Sequence, residues 1–400
     1  MKILVLGASG QIGALSVLDL VEQYGAEVLA SSRSEARVKR ALADLKVPLD
    51  GVGTATIDAH DGPSVARAIK DHDIDMVLNA AWYQTNLTVM DACLAGGAHY
   101  TDLGGFFDTT LKQLELSEAF RNAGLTAVVG LGSTPGITNL LGGAGAARLD
   151  KVDTIDIFCS WGNTLPVKEA GWPGYSIRTV LDEFTQEPVI WKDGKYQRVP
   201  VLSGEVEVTM QEPIGKVKAH YVKHSEPATM GKTLGARNVA FRIGFPAHDL
   251  ATFKTLTALG FADTRPLELE DCRASALDFL TAMYQRGIEE ARRQPPPQEE
   301  YEYDDFRVDV TGEKDGLPAH VTYFSTTWND PGRGLPSARD TAVPPSVTCH
   351  WVVSGRIKTP GVFPVEAVVE DHAQFFRELG KRKILIEEHF THTTRFHGAQ

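Results

Sequence analysis

An α/β fold carrying an inserted α+β segment is the architecture this sequence predicts, on three observations. The chain opens with a short apolar run, a glycine-rich turn and an apolar stretch of helical length, from Lys2 to Val21. Short β-branched runs then alternate with helix-length segments to about residue 130, the pattern of a parallel sheet with helices on both faces. After about residue 150 longer alternating strands, Pro-Gly clusters and polar loops take over, and a helix–strand pattern resumes only after residue 335.

Lys2 to Leu6 reads as a buried strand. Gly7, Gly10 and Gly13 follow at once, with Ser9, Gln11 and Ile12 between them, before a helix over Leu15 to Val21. One glycine allows the tight turn, one lets backbone approach a pyrophosphate, and one permits close helix–strand packing. The free N–H groups at the helix start complete an anion site. The first domain is therefore Rossmann-type and nucleotide-binding. A second strand, Glu27 to Ala30, ends in Ser31-Ser32-Arg33-Ser34 without the acidic residue that faces ribose hydroxyls in NAD binders. Ser32 and Arg33 suit a 2′-phosphate, so NADP is preferred over NAD. Ser34 also suits a helix cap. Thr54 to Ile57 is a third strand, and Asp58 after it either approaches the adenine or caps the next helix. Met76 to Leu78 ends in Asn79-Ala80-Ala81, small enough for a cofactor to lie close. Ala98 to Thr101 leads to Asp102, and Thr126 to Val129 to the loop Gly130–Gly136. Ligands of such a sheet gather at the carboxyl ends of its strands. Asn79, Tyr83, Asn86, His99, Asp102 and the 130–139 loop are thus expected around one crevice.

The bulk numbers bound the partners. Four hundred residues, 42% hydrophobic, bury a large core in two or three domains. A formal charge of −12 argues against nucleic acid and anionic membranes. A strand at residue 2 leaves no room for a leader, and no long apolar run spans a bilayer, so a cytoplasmic protein is expected. Cys93, Cys159, Cys272 and Cys349 make neither a metal spacing nor a disulfide framework. His220 and His224 stand four apart without a third ligand, and His389, His392 and His397 lie near the end, so no metal site is predicted.

In the middle, strands are expected at Val152 to Phe158, Val206 to Met210, Val217 to Tyr221 and Asn238 to Ile243. A hairpin is expected at Asp193-Gly194, and helices over Leu250 to Leu259 and Cys272 to Arg292. Phe306 to Thr311 and His320 to Thr327 flank a turn at Asp315-Gly316. Pro344 and Pro345 precede an apolar helix, Asp371 to Gly380 is amphipathic, and Ile384 to Phe390 is a last strand.

Asp102-Leu103-Gly104-Gly105 and Gly132-Ser133-Thr134-Pro135-Gly136-Ile137-Thr138-Asn139 resemble the saccharopine dehydrogenase-like family, which includes saccharopine reductases, lysine 6-dehydrogenases and carboxynorspermidine synthases. The glycine turn, Asn79-Ala80-Ala81, Asp340–Ser346 and Gly361–Glu366 are similar to its members. Ala236–Gly244 leans toward lysine 6-dehydrogenase. The resemblance implies a first domain over 1–135, an inserted substrate and dimerisation domain over 136–335, a C-terminal return to the first domain over 336–400, and a homodimer. Thr134, Ala342 and Pro345 depart from the family's usual residues, which points to a divergent substrate or a separate subgroup.

A hydride-transferring cofactor carries the difficult step, and the protein adds a proton acceptor and a substrate pocket. His99, Tyr83 and Asp102 are the candidate catalytic groups. His99 has a structural alternative as a histidine bonded to a neighbouring loop, and Asp102 as a carboxylate holding backbone N–H groups, while Tyr83 either stacks on nicotinamide or bonds substrate. Gly132, Thr134, Gly136 and Asn139, with Trp172, Tyr175 and Arg178 of the inserted segment, are candidate substrate contacts. The expected activity is NAD(P)-dependent oxidation or reduction at a C–N bond of an amino acid or amine. A redox-inactive NADP-binding scaffold or sensor and a reductase of a non-amino-acid carbonyl are the alternatives.

Overall fold

The apolar runs of the first 130 residues become strands of one parallel sheet. A computed structural model describes residues 1–163, 176–268, 270, 272–291, 302–330 and 333–395. The first part runs β1 (Lys2–Leu6), α1 (Gln11–Tyr24), β2 (Glu27–Ser32), α2 (Glu35–Asp44), β3 (Val52–Thr56), α3 (Gly62–Asp71), β4 (Met76–Asn79), α4 (Asn86–Gly96), β5 (His99–Asp102), α5 (Phe106–Glu115), α6 (Ser117–Asn122) and β6 (Thr126–Val129). Local signals set the helix ends. Ser34 accepts from Arg37 N–H at the start of α2, and Asp61 from Ser64 N–H at α3. Gly25 closes α1 with φ 58°.

The middle holds α7 (Ile137–Ala146), β7 (Lys151–Asn163), α8 (Ile177–Thr185), β8 (Val189–Lys192), β9 (Lys195–Arg198), β10 (Val206–Thr209), β11 (Lys216–Tyr221), α9 (Glu226–Thr233), β12 (Asn238–Gly244) and α10 (Ala247–Ala258). It continues through β13 (Pro266–Glu268), β14 (Arg273–Ser275), α11 (Ala276–Ala291), β15 (Glu302–Lys314) and β16 (Leu317–Trp328). The chain finishes with α12 (Pro336–Val353), β17 (Gly361–Pro364), α13 (His372–Lys381) and β18 (Ile384–His392).

The first sheet has the order β17-β6-β5-β4-β1-β2-β3, with every neighbouring pair parallel. The order reverses between β1 and β4, which makes the switch-point crevice of a doubly wound sheet. The second sheet is mixed, ordered β10-β11-β12-β7-β15-β16-β18, with β8 on β12 and β9 on β8. The expected hairpin turns form at Asp193-Gly194 and Asp315-Gly316, all four residues at positive φ. One apolar core runs continuously from Ile3 and Val5 through Leu140 and Val347 to Ile155, Val308 and Val321. A separate core, with Leu4, Val77, Val89 and Phe120, fills the other face of the first sheet.

Three expectations need correction. The helix expected over Cys272 to Arg292 begins only at Ala276, because Ser275 Oγ accepts from Asp278 N–H and caps it; Arg273–Ser275 pairs with β13 instead. α12 runs through Pro344 and Pro345, which leave the Asp340 and Thr341 carbonyls without i→i−4 donors. Its packing on α1, where Ser16 Oγ donates to Ala342 O at 3.3 Å, helps hold it. The C-terminal return is partial. α12 packs on α1 and β17 extends the first sheet, but β18 pairs with β16 of the second. Along β18, Ile384 is buried while Leu385 is exposed, a half-buried pattern that suits an edge of the mixed sheet.

Candidate active site

The glycine turn is a cradle built by close backbone approach. A methyl group on Gly7 would stand 2.6 Å from the Ala80 carbonyl oxygen, and one on Gly13 would stand 2.5 Å from that of Gly7. Gly10 N–H donates to Gly7 O at 2.9 Å. Ser9, Gln11 and Ile12 are half-buried around the start of α1, where N–H groups lack partners one turn back. Gln11 also approaches Gly334, just before α12. This cradle fits a dinucleotide pyrophosphate. Ser32 ends β2 with its hydroxyl turned onto Ser34, and Arg33 beside it is exposed. Asp58 does not cap α3. It accepts from His60 N–H, and this bond, the His60 ring and the nearby Arg33 hold its carboxyl below the ordinary range. Ala80 and Ala81 are half-buried against Gly7. Asn79 is buried behind them, accepting from Ala81 N–H and donating to Thr85 and Asn86. Asn79 therefore shapes the turn rather than touching a cofactor.

His99 does not join the crevice. It opens β5, whereas Asp102 closes it, so a whole strand of about 10 Å separates them. Its Nδ1 accepts from Thr126 N–H at 2.9 Å, and burial lowers its pKa. Asp102 reaches the crevice but is fully buried. Its carboxylate accepts from Gly104 N–H (2.8 Å), Gly130 N–H (2.9 Å) and Gln113 Nε2 (2.5 Å). Burial raises its pKa against those bonds. It ties two loops together and has no role open toward a substrate ammonium.

The 130s loop is pinned on every side. Gly132 N–H donates to Pro135 O at 2.7 Å and Gly136 N–H to Asn139 Oδ1 at 3.1 Å, so neither amide is left for a substrate carboxylate. Gly136 adopts φ 131°, and a methyl there would lie 2.0 Å from Gly132 O. Asn139 is buried and donates to Glu366, so it anchors the loop and not a substrate. Ser133 and Thr134 alone are half-exposed, Ser133 lying 3.2 Å from Thr341 of α12.

Tyr83 meets the second domain. It lies in a short 3-10 turn, with its ring 5.2 Å from Phe106, whose φ of 52° is a strained value for a bulky residue. Tyr83 Oη donates to Asp182 at 3.4 Å, and Gln186 Nε2 donates to the other Asp182 oxygen at 2.7 Å. Lys223 Nζ donates to Gln186 Oε1 (2.7 Å) and Asp108 (3.0 Å), and Arg198 donates to Asp108 (3.1 Å). A ladder of six polar side chains thus crosses between the domains three times. Burial raises the Asp182 pKa, and burial with the Asp182 charge raises that of Tyr83. At Asp108 burial is outweighed by Lys223 and Arg198, and its pKa falls.

Behind the ladder, His224 stacks on Phe241 at 3.8 Å. Its Nδ1 is 2.8 Å from Glu226, and its Nε2 is 4.0 Å from Glu183. Burial opposes its protonation, but the two carboxylates outweigh it and raise its pKa. Glu226 also accepts from Thr138 at the first turn of α7. The sequence shows Lys-His-Ser-Glu at 223–226, but nothing in its spacing says that these charges are buried. Arg178 pairs with Asp278 at 2.5 Å and lies over Trp82, so it braces the rim instead of waiting for an anion. Trp172 and Tyr175 lie outside the described residues. Among the described residues, no group of three His, Cys, Asp or Glu side chains could hold a metal, and no helix is long and apolar enough to cross a membrane.

Residues 3–128 match the saccharopine dehydrogenase NADP binding domain, and residues 132–385 match the saccharopine dehydrogenase C-terminal domain. The chain belongs to the saccharopine dehydrogenase family. Family and fold are those of the NAD(P)-dependent dehydrogenases and reductases. Among its relatives is a carboxyaminopropylagmatine dehydrogenase of Synechocystis, 24% identical over 95% of each chain. Another is a carboxynorspermidine synthase of Vibrio cholerae, 25% identical over 68% of this chain and 69% of that one. The fold is shared with apo saccharopine dehydrogenase (L-Glu forming) from Saccharomyces cerevisiae. The TM-score is 0.72 over 98% of this chain and 99% of that one, at 17% identity.

Proposed function

We propose that this chain is an NADP-preferring oxidoreductase acting at a C–N bond of a carboxylated amine. Its favoured direction is reduction of an imine formed from an amine and an aldehyde. The observation that carries this reading is the ladder from Tyr83 to Arg198, which sets a proton-holding pair and a buried cation together beside Phe106. Two relatives' names each join a carboxyl group to an amine skeleton, which supports the substrate class. The glycine cradle and Arg33 support a 2′-phosphorylated dinucleotide.

Bound in that cradle, the cofactor would supply the hydride. The chain's own part is to orient the imine and to hold a proton. Asp182, kept proton-prone by burial, and the Tyr83 hydroxyl bonded to it are the groups proposed to protonate the imine nitrogen. His99 and Asp102 take no part in this step. The oxidative, lysine 6-dehydrogenase-like direction is the same chemistry reversed. We include a homodimer in the proposal, expected in light scattering as twice the 43.6 kDa chain mass.

The test is loss of NADPH absorbance with diamines and short carboxylated aldehydes supplied together, NADH in parallel. Consumption that needs both partners and favours NADPH supports the reading. Tight NADPH binding with no turnover of any amine, imine or carbonyl would instead leave a redox-inactive scaffold. For the proton pair, Asp182→Asn is expected to lower kcat by roughly 10²-fold while NADPH affinity is kept.

A further inference from the structure

Asp108 is a carboxylate in an unusual position. It sits in the first turn of α5 on the first domain's rim, its side chain 47% exposed, yet both oxygens reach cations of the second domain. The two cations differ. Arg198 is 53% exposed, as a surface partner would be. Lys223 is 10% exposed, and its ammonium is held from behind by Gln186 at 2.7 Å, with the Phe106 ring centre 5.6 Å away. Leaving a buried ammonium without a counter-charge is strongly unfavourable. A carboxylate half in water is easily replaced, because exposed ion pairs contribute little. The anchor is fixed and its present partner is exchangeable.

We propose that Lys223 is the docking point for the substrate's carboxylate, and that Asp108 is a built-in stand-in that holds this point until the substrate arrives. The proposal rests on the carboxylated-amine reading above and adds to it a named anion subsite and an internal competitor. The exchange keeps every charge paired. The substrate carboxylate takes Lys223, while Asp108 retains Arg198, already 3.1 Å away. The Lys223–Asp108 hydrogen bond is exchanged for one to the substrate, no covalent bond is broken and no proton moves. The geometry suits the reaction, because both ends lie beside Phe106 and are linked through Gln186. The Tyr83 ring packs 5.2 Å from the Phe106 ring, and the Lys223 ammonium lies 5.6 Å from the same ring. A substrate gripped at Lys223 would lay its reacting nitrogen by Tyr83 and Asp182, with a short alkyl chain across the aromatic ring.

The stand-in makes an unusual demand: removing an acidic residue from the rim must improve binding of an acid. If Asp108 occupies Lys223 most of the time, apparent affinity is reduced by the fraction of free sites, and removing the competitor restores it. The probe is glutarate, added to the full-length protein saturated with NADPH and followed by calorimetry and by inhibition of imine reduction. Asp108→Asn is expected to lower the glutarate Kd, and the KM of a carboxylated substrate, by roughly 3–10-fold. Lys223→Met is expected to raise both by more than about tenfold, and adding Asp108→Asn to it should then bring no gain. Lys223→Arg keeps the charge and should keep glutarate binding. Unchanged NADPH affinity certifies that each variant is folded.

Unchanged or weakened glutarate binding in Asp108→Asn overturns the proposal. So does undiminished binding in a folded Lys223→Met. Failure of the functional reading looks different. If no amine or imine turns over, yet glutarate binds through Lys223 and more tightly in Asp108→Asn, the subsite stands and the reaction falls. If imines turn over with KM indifferent to both residues, the reaction stands and the subsite falls.

Discussion

Arg33 follows a strand that ends without an acid, and it stands exposed where the adenosine end of a dinucleotide lies in this fold. A guanidinium gives charge-assisted, directional contacts to a phosphate that NAD lacks. Arg33→Ala is therefore expected to weaken NADPH by roughly 1–2 kcal/mol and NADH hardly at all, as read by fluorescence titration. His99 gives the opposite expectation. Removing a general base costs about 10²–10⁴-fold in rate, and His99→Gln should cost none of it in steady-state kinetics. Asp102→Ala strands three donors in a buried place, and a loss of about 3 kcal/mol is expected in urea denaturation. These two residues show where reading the sequence stopped. His99 and Asp102 are three residues apart on one short strand, and which end of a parallel strand faces the ligand decides everything about them. Strand boundaries were legible. The burial of Asp102 arises from the folding of two loops onto it, and the placing of Lys223 and His224 beside Phe106 from contacts between segments more than a hundred residues apart, which no local pattern encodes.

At the scale of elements, glycine positions with the same φ sign separate by what surrounds them. Gly97 closes α4 at φ 86° with open space where a methyl would go. Gly136 starts α7 at φ 131° with the Gly132 oxygen in that place. Gly97→Ala is expected to cost about 1 kcal/mol, the backbone strain alone. Gly136→Ala is expected to cost about 3 kcal/mol or more and to displace the loop, measured by denaturation and by NADPH titration. The parallel strands were readable because a strand buried on both faces is a plain apolar run. β15 carries Asp304, Asp305 and Asp309 among its apolar residues, and only the core of that strand, Phe306 to Thr311, stood out. α12 defied its own prolines, since tertiary packing overrides local propensity.

At the scale of the whole molecule, the seam between the sheets carries a buried acid pair. Asp340 of α12 is fully buried, and among the described residues neither oxygen meets a donor in hydrogen-bond geometry, although Thr327 lies near. Asp304, the cross-strand partner of Thr327, is buried beside it. Burial first, and for Asp304 also the Asp340 charge, raises both pKa values. The folded state therefore holds protons that the unfolded chain releases at about pH 4. Stability from this pair is complete below that value and declines as pH rises through the raised folded range. Asp340→Asn removes the share of the dependence that Asp340 contributes. Its melting temperature is expected to gain on the parent between pH 5 and pH 8, reaching about 1–3 kcal/mol of added stability at the upper end.

The path of the chain between the two sheets has a further consequence for how the protein is made. The first sheet is completed by β17 and the second by β18, both drawn from residues beyond 360. A ribosome that has released the first 130 residues has therefore released neither domain. Emerging chain must keep β6 as an unpaired edge through most of translation, and β16 from its own emergence until β18 arrives, periods in which strand edges invite wrong partners. Folding of both halves then waits on the same closing stretch. An early stop after β16 is expected to leave two incomplete sheets rather than one finished domain and one missing piece.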